Sequence, residues 1–514
     1  MSKSRASQSV KNAKIALLFY FINLLLNFVS RKSFIDYLGI EVLGLNTTIT
    51  NLLQFLNIAE LGISAAISYS LYKPLYEKDR STVNEIVSVQ GWFYRQVALV
   101  VIIGSCVLLP FFPFIFKGME LPLWYAYASF VVLSLNSLLG YFVNYKQIVL
   151  VADQKEYKVS FCVQGGKNIK IILQIIAITL LFNGYIYWLI LECIMPFIIA
   201  SILSLIIKKE YPWLTASATN GQSIRRKYSE IVTKTKQLFF HRISLVVLGQ
   251  VTPIIIYVYT SLSVVAIYGN YMLIMGGGIT FLVKAIFDSL SAGIGNLVAE
   301  GDKKKILNFY WEYISVRFWF VSVLCFGLLM LTQSFMELWL GEKYVLTQVP
   351  FILLISYTFI FCTRMHETFL AAYGLYKDIW APILETVLNI GCSFWFGYYW
   401  GLNGIIAGVT LSIFLIGFIW KPYFLFKTGF KLPVKEYVKV CFKVLGIIGI
   451  SFVVSFYIYN FLFCIGANNF WKWGIKAIVS TSIYVIISTV LFLLYIPSFS
   501  SFLKRLNIRR KFQL

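Results

Sequence analysis

Asn46, Thr50, Gln54, Asn57, Glu60, Ser64 and Ser68 recur at steps of four, four, three, three, four and four within an otherwise Leu-, Ile-, Phe- and Ala-rich run from Leu43 to Tyr72. That spacing places them on one face of a helix. The run exceeds the roughly 20 residues that a helix needs to cross a bilayer. A helix meeting only lipid has no use for such a stripe. An unpaired charge at mid-bilayer costs about 3 kcal/mol on insertion scales, so Glu60 is expected to face protein or water. The chemistry implied is that of a hydrated cavity inside the membrane.

Similar stripes mark other apolar runs: Tyr20, Asn23, Asn27 and Arg31; Ser129, Asn136, Gly140, Asn144 and Gln147; Ser160, Gln164, Lys167 and Gln174; Ser356, Thr363, Arg364 and Glu367; Glu385, Asn389 and Ser393. Hydrogen bonding between helices explains a single Asn or Ser equally well. Several full-length stripes with charges favour a shared central cavity. Its cationic candidates are Arg31, Lys167, Arg242, Arg317 and Arg364, and Arg grips phosphate with a two-pronged fork. Glu60, Glu367 and Glu385 can pair with those bases or bind a coupling cation, H+ or Na+. Arg31, Lys167, Arg242 and Arg317 stand near run ends, where snorkelling to head groups is the alternative. Arg364 and Glu367, three residues apart, can also form a structural ion pair.

Other chemistries lack their residues. His241 and His366 are the only histidines, with no ligand set around them. No Walker, HExxH or GxSxG motif occurs. Gly276-Gly277-Gly278 lacks the strand–helix setting of a nucleotide loop and fits close helix packing or a flexible break. The eight cysteines all fall in apolar segments and read as small core residues. No cofactor is expected.

The elements that must position these groups follow from composition. The 514 residues are 59% hydrophobic and 13% charged, with mean hydropathy +0.77, which is an integral membrane composition. The apolar runs predict about fourteen transmembrane helices, at 14–30, 43–72, 91–116, 122–145, 160–182, 186–207, 237–260, 263–288, 309–333, 349–372, 380–400, 403–426, 438–463 and 475–497. The first run has no cleavage site after it and is expected to be a helix, not a removed signal. The net charge of +23 sits mostly in alternate loops. The positive-inside rule then places both termini in the cytoplasm, without any nucleic-acid partner. The domains expected are an N-terminal lobe at 1–207, a cytoplasmic linker at 208–236, a C-terminal lobe at 237–426, and two peripheral helices with a basic tail at 427–514. The fold class is an all-α integral membrane protein, two six-helix lobes around a central cavity.

The lobes echo one another. Ser64-Ala65-Ala66-Ile67 precedes LYKPLYEKDR, and Ser291-Ala292-Gly293-Ile294 precedes GNLVAEGDKKK. VADQKEY likewise resembles AYGLYKDIW. A six-helix offset keeps the same orientation, as in transporters with two similar lobes.

The stretches FIDYLGIEVLGLN, NIAELGISAAISYSLYKPLYEKDR, AIYGNY around Asn270, SLSAGIGNLVAEGDKKK, and ILETVLNIGCS with GLNGIIAGV resemble the Wzx-like oligosaccharide flippases of the multidrug/oligosaccharidyl-lipid/polysaccharide (MOP) exporter superfamily. The likeness covers essentially the whole chain. It implies a substrate of short oligosaccharide on undecaprenyl diphosphate, moved from the cytoplasmic to the outer leaflet of the bacterial inner membrane for O-antigen, capsule or exopolysaccharide synthesis. It implies no enzymatic activity, and a polysaccharide polymerase and chain-length regulator as neighbours. Alternating access by rocking lobes is the expected mechanism, with membrane lipid around the prenyl tail. Many relatives carry an acid where this chain has Thr252-Pro253, which puts a cation site in that run in doubt. The alternatives are a cation-coupled multidrug exporter of the same superfamily and, further off, a polysaccharide polymerase.

Overall fold

The computed structural model describes residues 5–60, 62–375, 378, 380–462 and 468–511. They are almost entirely helical, and no strand occurs among the described residues. Among the described residues eleven helical stretches are long and apolar enough to cross a membrane, the hairpin Trp380–Phe430 counted as one. The helices depart from the predicted runs at one place. The 43–72 run is two helices, Ile40–Leu56 and Ile63–Glu77, parted by a 3-10 turn at Asn57–Glu60 and by Gly62 at φ 92. The 380–400 and 403–426 runs are two helices, turned back on one another at Gly401 (φ 52), with Gly404 packed on Phe396 and Ser393 donating to the Ile405 carbonyl. The 237–260 run lies within one continuous helix, Ser229–Tyr259.

Contacts divide the chain into two compact units, Met1–Gly269 and Asn270–Leu514. Lipid gives apolar side chains no hydrophobic drive, so helices must pack by shape. Small residues set the closest crossings. A Cβ at Gly44 would fall 1.9 Å from the Leu262 carbonyl oxygen, and one at Gly404 would fall 2.0 Å from that of Phe396.

The sequence echo is structural. In the first unit a 3-10 turn carrying Glu60 is followed by the helix that begins at Ile63; in the second, the 3-10 turn Asp288–Leu290 is followed by helix Ser291–Glu300. Each of those helices ends on a left-handed residue, Lys78 at φ 59 and Gly301 at φ 79. An Asp then caps the next helix. Asp79 accepts from the Thr82 amide, and Asp302 accepts from the amides of Lys304 and Lys305. These bonds hold both carboxyls below their usual range: chiefly the Thr82 hydroxyl at Asp79, chiefly the Lys305 amide at Asp302.

The Gly276-Gly277-Gly278 run lies in a π-helical stretch, Leu273–Thr280. A Cβ at Gly278 would meet nothing, and one at Gly276 only the end of Met272. At Gly276 and Gly278 the reading of a break fits better than close packing.

The 208–236 segment, expected as a linker, is folded onto the first unit. Asn84 receives the Thr215 amide and donates to the Trp213 carbonyl. Ser88 accepts from the Ser217 amide. Glu85 holds both Lys227 and the Tyr228 hydroxyl at 2.6 Å. Gly221 packs so closely that a Cβ would stand 2.1 Å from the Ser88 carbonyl oxygen.

The last two spans, Lys435–Leu462 and Phe470–Tyr495, pack on helix Lys303–Leu340. Phe326, Met330, Tyr459 and Tyr484 form a shared core there, and Trp473 donates to the Leu331 carbonyl. Phe442, Tyr457, Phe461 and Ile478 are exposed, as lipid-facing side chains are. The seven described cysteines are free thiols, and Cys464 lies outside the described residues.

Two outcomes follow for stability. Gly221→Val should drive the 208–236 segment off its seat at a cost of about 1–3 kcal/mol; limited proteolysis should then cut there in the variant before wild type. The caps should titrate. A carboxylate held low in the folded state adds stability only above its unfolded pKa, about 3.9, and loses it as pH falls through the folded value. The melting temperature of Asp79→Ala/Asp302→Ala should therefore lie below wild type at about pH 6, with the gap closing toward about pH 3.

Candidate functional site

The first unit holds Asn27, Arg31, Asn57, Glu60, Lys167 and the backbone of Arg242; the side chains of Arg242 and His241 lie outside the described residues. The 3-10 turn after helix Ile40–Leu56 advances three residues per turn. It presents Asn57 and Glu60 to helices Arg80–Leu108 and Trp124–Phe142. Glu60 accepts from the Tyr94 hydroxyl at 3.0 Å and from the Tyr141 hydroxyl at 3.1 Å, one on each carboxylate oxygen. Ser64 lies 2.6 Å from the same Tyr94 hydroxyl. The Tyr94 and Tyr141 rings meet edge to face at 5.4 Å, which fixes both hydroxyls. Asn57 pairs with Ser137 at 3.0 Å. Among the described residues Glu60 makes no ion pair: its partners are hydroxyl groups, and it is half-buried.

Much of the stripe is thus bonded between helices. Asn46 accepts from Tyr185, and Thr50 donates to its own backbone; Gln54 is exposed. Asn27 donates to Asn23, which donates to Asn168 on helix Glu156–Leu180. The Arg31 guanidinium lies against Gly269, where a Cβ would stand 3.2 Å from Nη1. Lys167 is exposed at the middle of helix Glu156–Leu180.

Sequence reasoning missed a buried centre in this unit. Glu192, 5% exposed, accepts from Lys170 at 2.6 Å, Gln174 at 2.8 Å and Asn136 at 3.0 Å. It knits helices Trp124–Phe142, Glu156–Leu180 and Gly184–Glu210. An acid inside an apolar run was its signal, the same one that exposed Glu60.

The second unit holds Asn270, Arg317, Arg364, Glu367, Glu385 and Asn389. Arg364 stands where helix Gln348–Thr363 stops, in extended backbone before helix His366–Ala372. The break frees its side chain to reach across to the helix that begins at Trp380. Nη1 and Nη2 meet the two oxygens of Glu385 at 2.6 and 3.2 Å, and Nη2 meets Glu367 at 2.6 Å. Glu385 is 1% exposed and Glu367 48%. Gly417 leaves room for the Arg364 stem, since a Cβ there would fall 3.1 Å from Cγ. Asn389 and Ser393, one and two turns beyond Glu385, are wholly buried, and both amide atoms of Asn389 lack a partner. Asn270 is also wholly buried.

Arg317 is not a snorkelling end residue. It sits inside helix Lys303–Leu340, 5% exposed. It donates to the Cys362 carbonyl at 2.8 Å and the Tyr313 hydroxyl at 3.0 Å, over the face of Phe287. His366 pairs with the Tyr310 hydroxyl. Two charged features here escaped the sequence reading. Asp378 and Lys421 form a buried pair at 2.8 Å. Lys284, within the 263–288 run, is exposed with its ammonium over Phe361.

No family model matches the sequence, and no curated protein matches it. Solved structures do match. The lipid II flippase MurJ in an inward closed conformation aligns over 94% of this chain and 99% of its own, with a TM-score of 0.63 and 15% identity. The chain has the MOP transporter fold. An inward-facing multidrug resistance MATE transporter of the MOP superfamily aligns over 79% of this chain and 96% of its own, at TM-score 0.57 and 13% identity. A MOP superfamily transporter from Pyrococcus furiosus aligns over 84% and 98%, at 0.50 and 14%.

The Arg364 centre makes a stability prediction. Removing one partner of a buried ion pair leaves the other uncompensated, at about 3–5 kcal/mol, whereas replacing both by apolar groups is near neutral. Arg364→Ala should lower the melting temperature of the detergent-solubilised protein sharply, and Arg364→Met/Glu385→Met should recover most of it. Equal losses in both variants would show that the pair is not the source.

Proposed function

We propose that this protein moves an undecaprenyl-diphosphate-linked oligosaccharide from the cytoplasmic to the outer leaflet of a bacterial inner membrane, by alternating access, for surface polysaccharide synthesis. One observation carries the reading: the fold of a lipid-linked-substrate flippase extends over 94% of this chain, against 79% for a multidrug transporter. The Wzx-like stretches around Glu60 and Asn296 support the same choice. Both termini lie in the cytoplasm on this reading, with a polymerase and chain-length regulator acting on the product.

The geometry refines the residue roles. Arg364 and Arg317 are taken up by protein groups, so they shape the second unit and do not grip the diphosphate. Among the described residues Lys167 and Lys284, exposed at mid-helix, are placed to meet it as mobile point charges. Glu60, facing hydroxyls and no base, is the group placed to take up a coupling ion.

That same carboxylate favours the second reading, a cation-coupled multidrug exporter. Deletion separates the two. Loss of the flippase should trap lipid-linked repeat units on the cytoplasmic leaflet; loss of a drug exporter should sensitise cells to cationic drugs and spare the polysaccharide; loss of a polymerase should leave single units outside. In complemented cells, Lys284→Gln and Glu60→Gln should each cut export about tenfold or more at normal expression, equivalent to a barrier raised by roughly 1.4 kcal/mol. Full export by both variants would sink the assignment of roles.

A further inference from the structure

The C-terminal helix Pro497–Lys511 folds back on the second unit at its junction with the last span. Ser498 meets Ser315 at 2.6 Å, and Phe499 packs on Trp319 and Phe492. Between this helix, helix Phe281–Phe287 and helix Lys303–Leu340 lies a cavity of about 420 Å³ walled by Phe287, Phe309, Tyr313, Val316, Phe320 and Phe502. Its walls are nearly all carbon, and its charged members are the pair Glu312–Arg505, at 2.8 Å. Glu312 is 5% exposed; Arg505 is 54% exposed and keeps most of its donors facing outward.

Two features say what belongs there. The wall from Phe309 to Phe320 rises about 17 Å along its helix, close to one leaflet of a roughly 30 Å hydrocarbon core. The rim is basic: Arg505 lines the cavity mouth, its neighbour Lys504 is exposed, and the C-terminal helix carries no acid. A cavity one acyl chain long beneath a cationic rim complements a lipid with an anionic head. We propose that this is a resident site for an anionic phospholipid, its acyl chain in the cavity and its phosphate on Arg505 and Lys504. Arg505 then bridges Glu312 and the lipid, and the lipid ties the C-terminal helix to the second unit. The proposal is independent of the transported substrate.

The test is native mass spectrometry of the full chain in micelles containing dioleoyl phosphatidylglycerol or dioleoyl phosphatidylcholine. Wild type should retain the anionic lipid about fivefold or more over the neutral one, the scale set by one basic residue at a membrane surface. Glu312→Gln/Arg505→Gln, which leaves no unpaired buried charge, should lose at least half of that preference, as should Lys504→Gln. Val316→Trp, which fills the cavity, should lower retention of both lipids. Equal retention by wild type, an undiminished preference in both charge variants, or a filled cavity that still holds lipid would each overturn the site.

Discussion

A carboxylate inside an apolar bilayer must be met by the protein or neutralised, and the architecture around it follows from how that is done. Each unit breaks a membrane helix to do so. In the first, the 3-10 turn at Asn57–Glu60 brings Glu60 onto two tyrosine hydroxyls. In the second, the break at Arg364 lets a guanidinium reach Glu385 in two-pronged contact. A broken helix leaves backbone groups without intrahelical partners, tolerated at membrane depth only inside protein or beside water. The carboxylates therefore dictate where irregular backbone can exist, and the straight helices pack around those points.

The two solutions are electrically different. Glu385 carries its own fixed cation, so a dissolved ion would have to displace a guanidinium held by three oxygens of two carboxylates. Among the described residues Glu60 has donors but no cation. If an ion gradient drives this protein, the asymmetry directs the coupling to the first unit and leaves the second as a rigid counterpart. Glu192, held by Lys170, Gln174 and Asn136, is the first unit's own fixed centre.

How much of this was legible depends on what each residue reports. Apolar runs gave up the helices because lipid demands continuous apolar length. The step of three from Asn57 to Glu60 coincides with the 3-10 turn, and a uniform helix face was the wrong reading of the stripe there. The echo of EKDR in EGDK was legible, because a left-handed residue followed by a capping Asp is a local device that needs no tertiary context. Arg364 was among the cations collected from the sequence, but its partners Glu367 and Glu385 were not readable together: it takes both, and one sits on another helix. The packing of 208–236 was hidden, since a polar, basic segment looks the same whether loose or held by Asn84, Glu85 and Ser88. Glu192, Lys284 and Lys421 were missed for a simpler reason, as each is a charge in an apolar run like those that were collected.

The fold outlives the sequence here for a physical reason. At 13–15% identity to its structural neighbours, the chain keeps helix order and length while almost every side chain differs. On lipid-facing surfaces Leu, Ile, Phe and Val are interchangeable, because no water distinguishes them. Selection acts where backbones nearly touch, as at Gly44 and Gly404, and where charge is buried, as at Glu60, Glu192 and Glu385. Those few positions cannot drift singly: a carboxylate that changes strands its donor, and a donor that changes strands the carboxylate. Divergence among chains of this fold should therefore proceed by exchange of whole buried constellations, while the frame of helices stays.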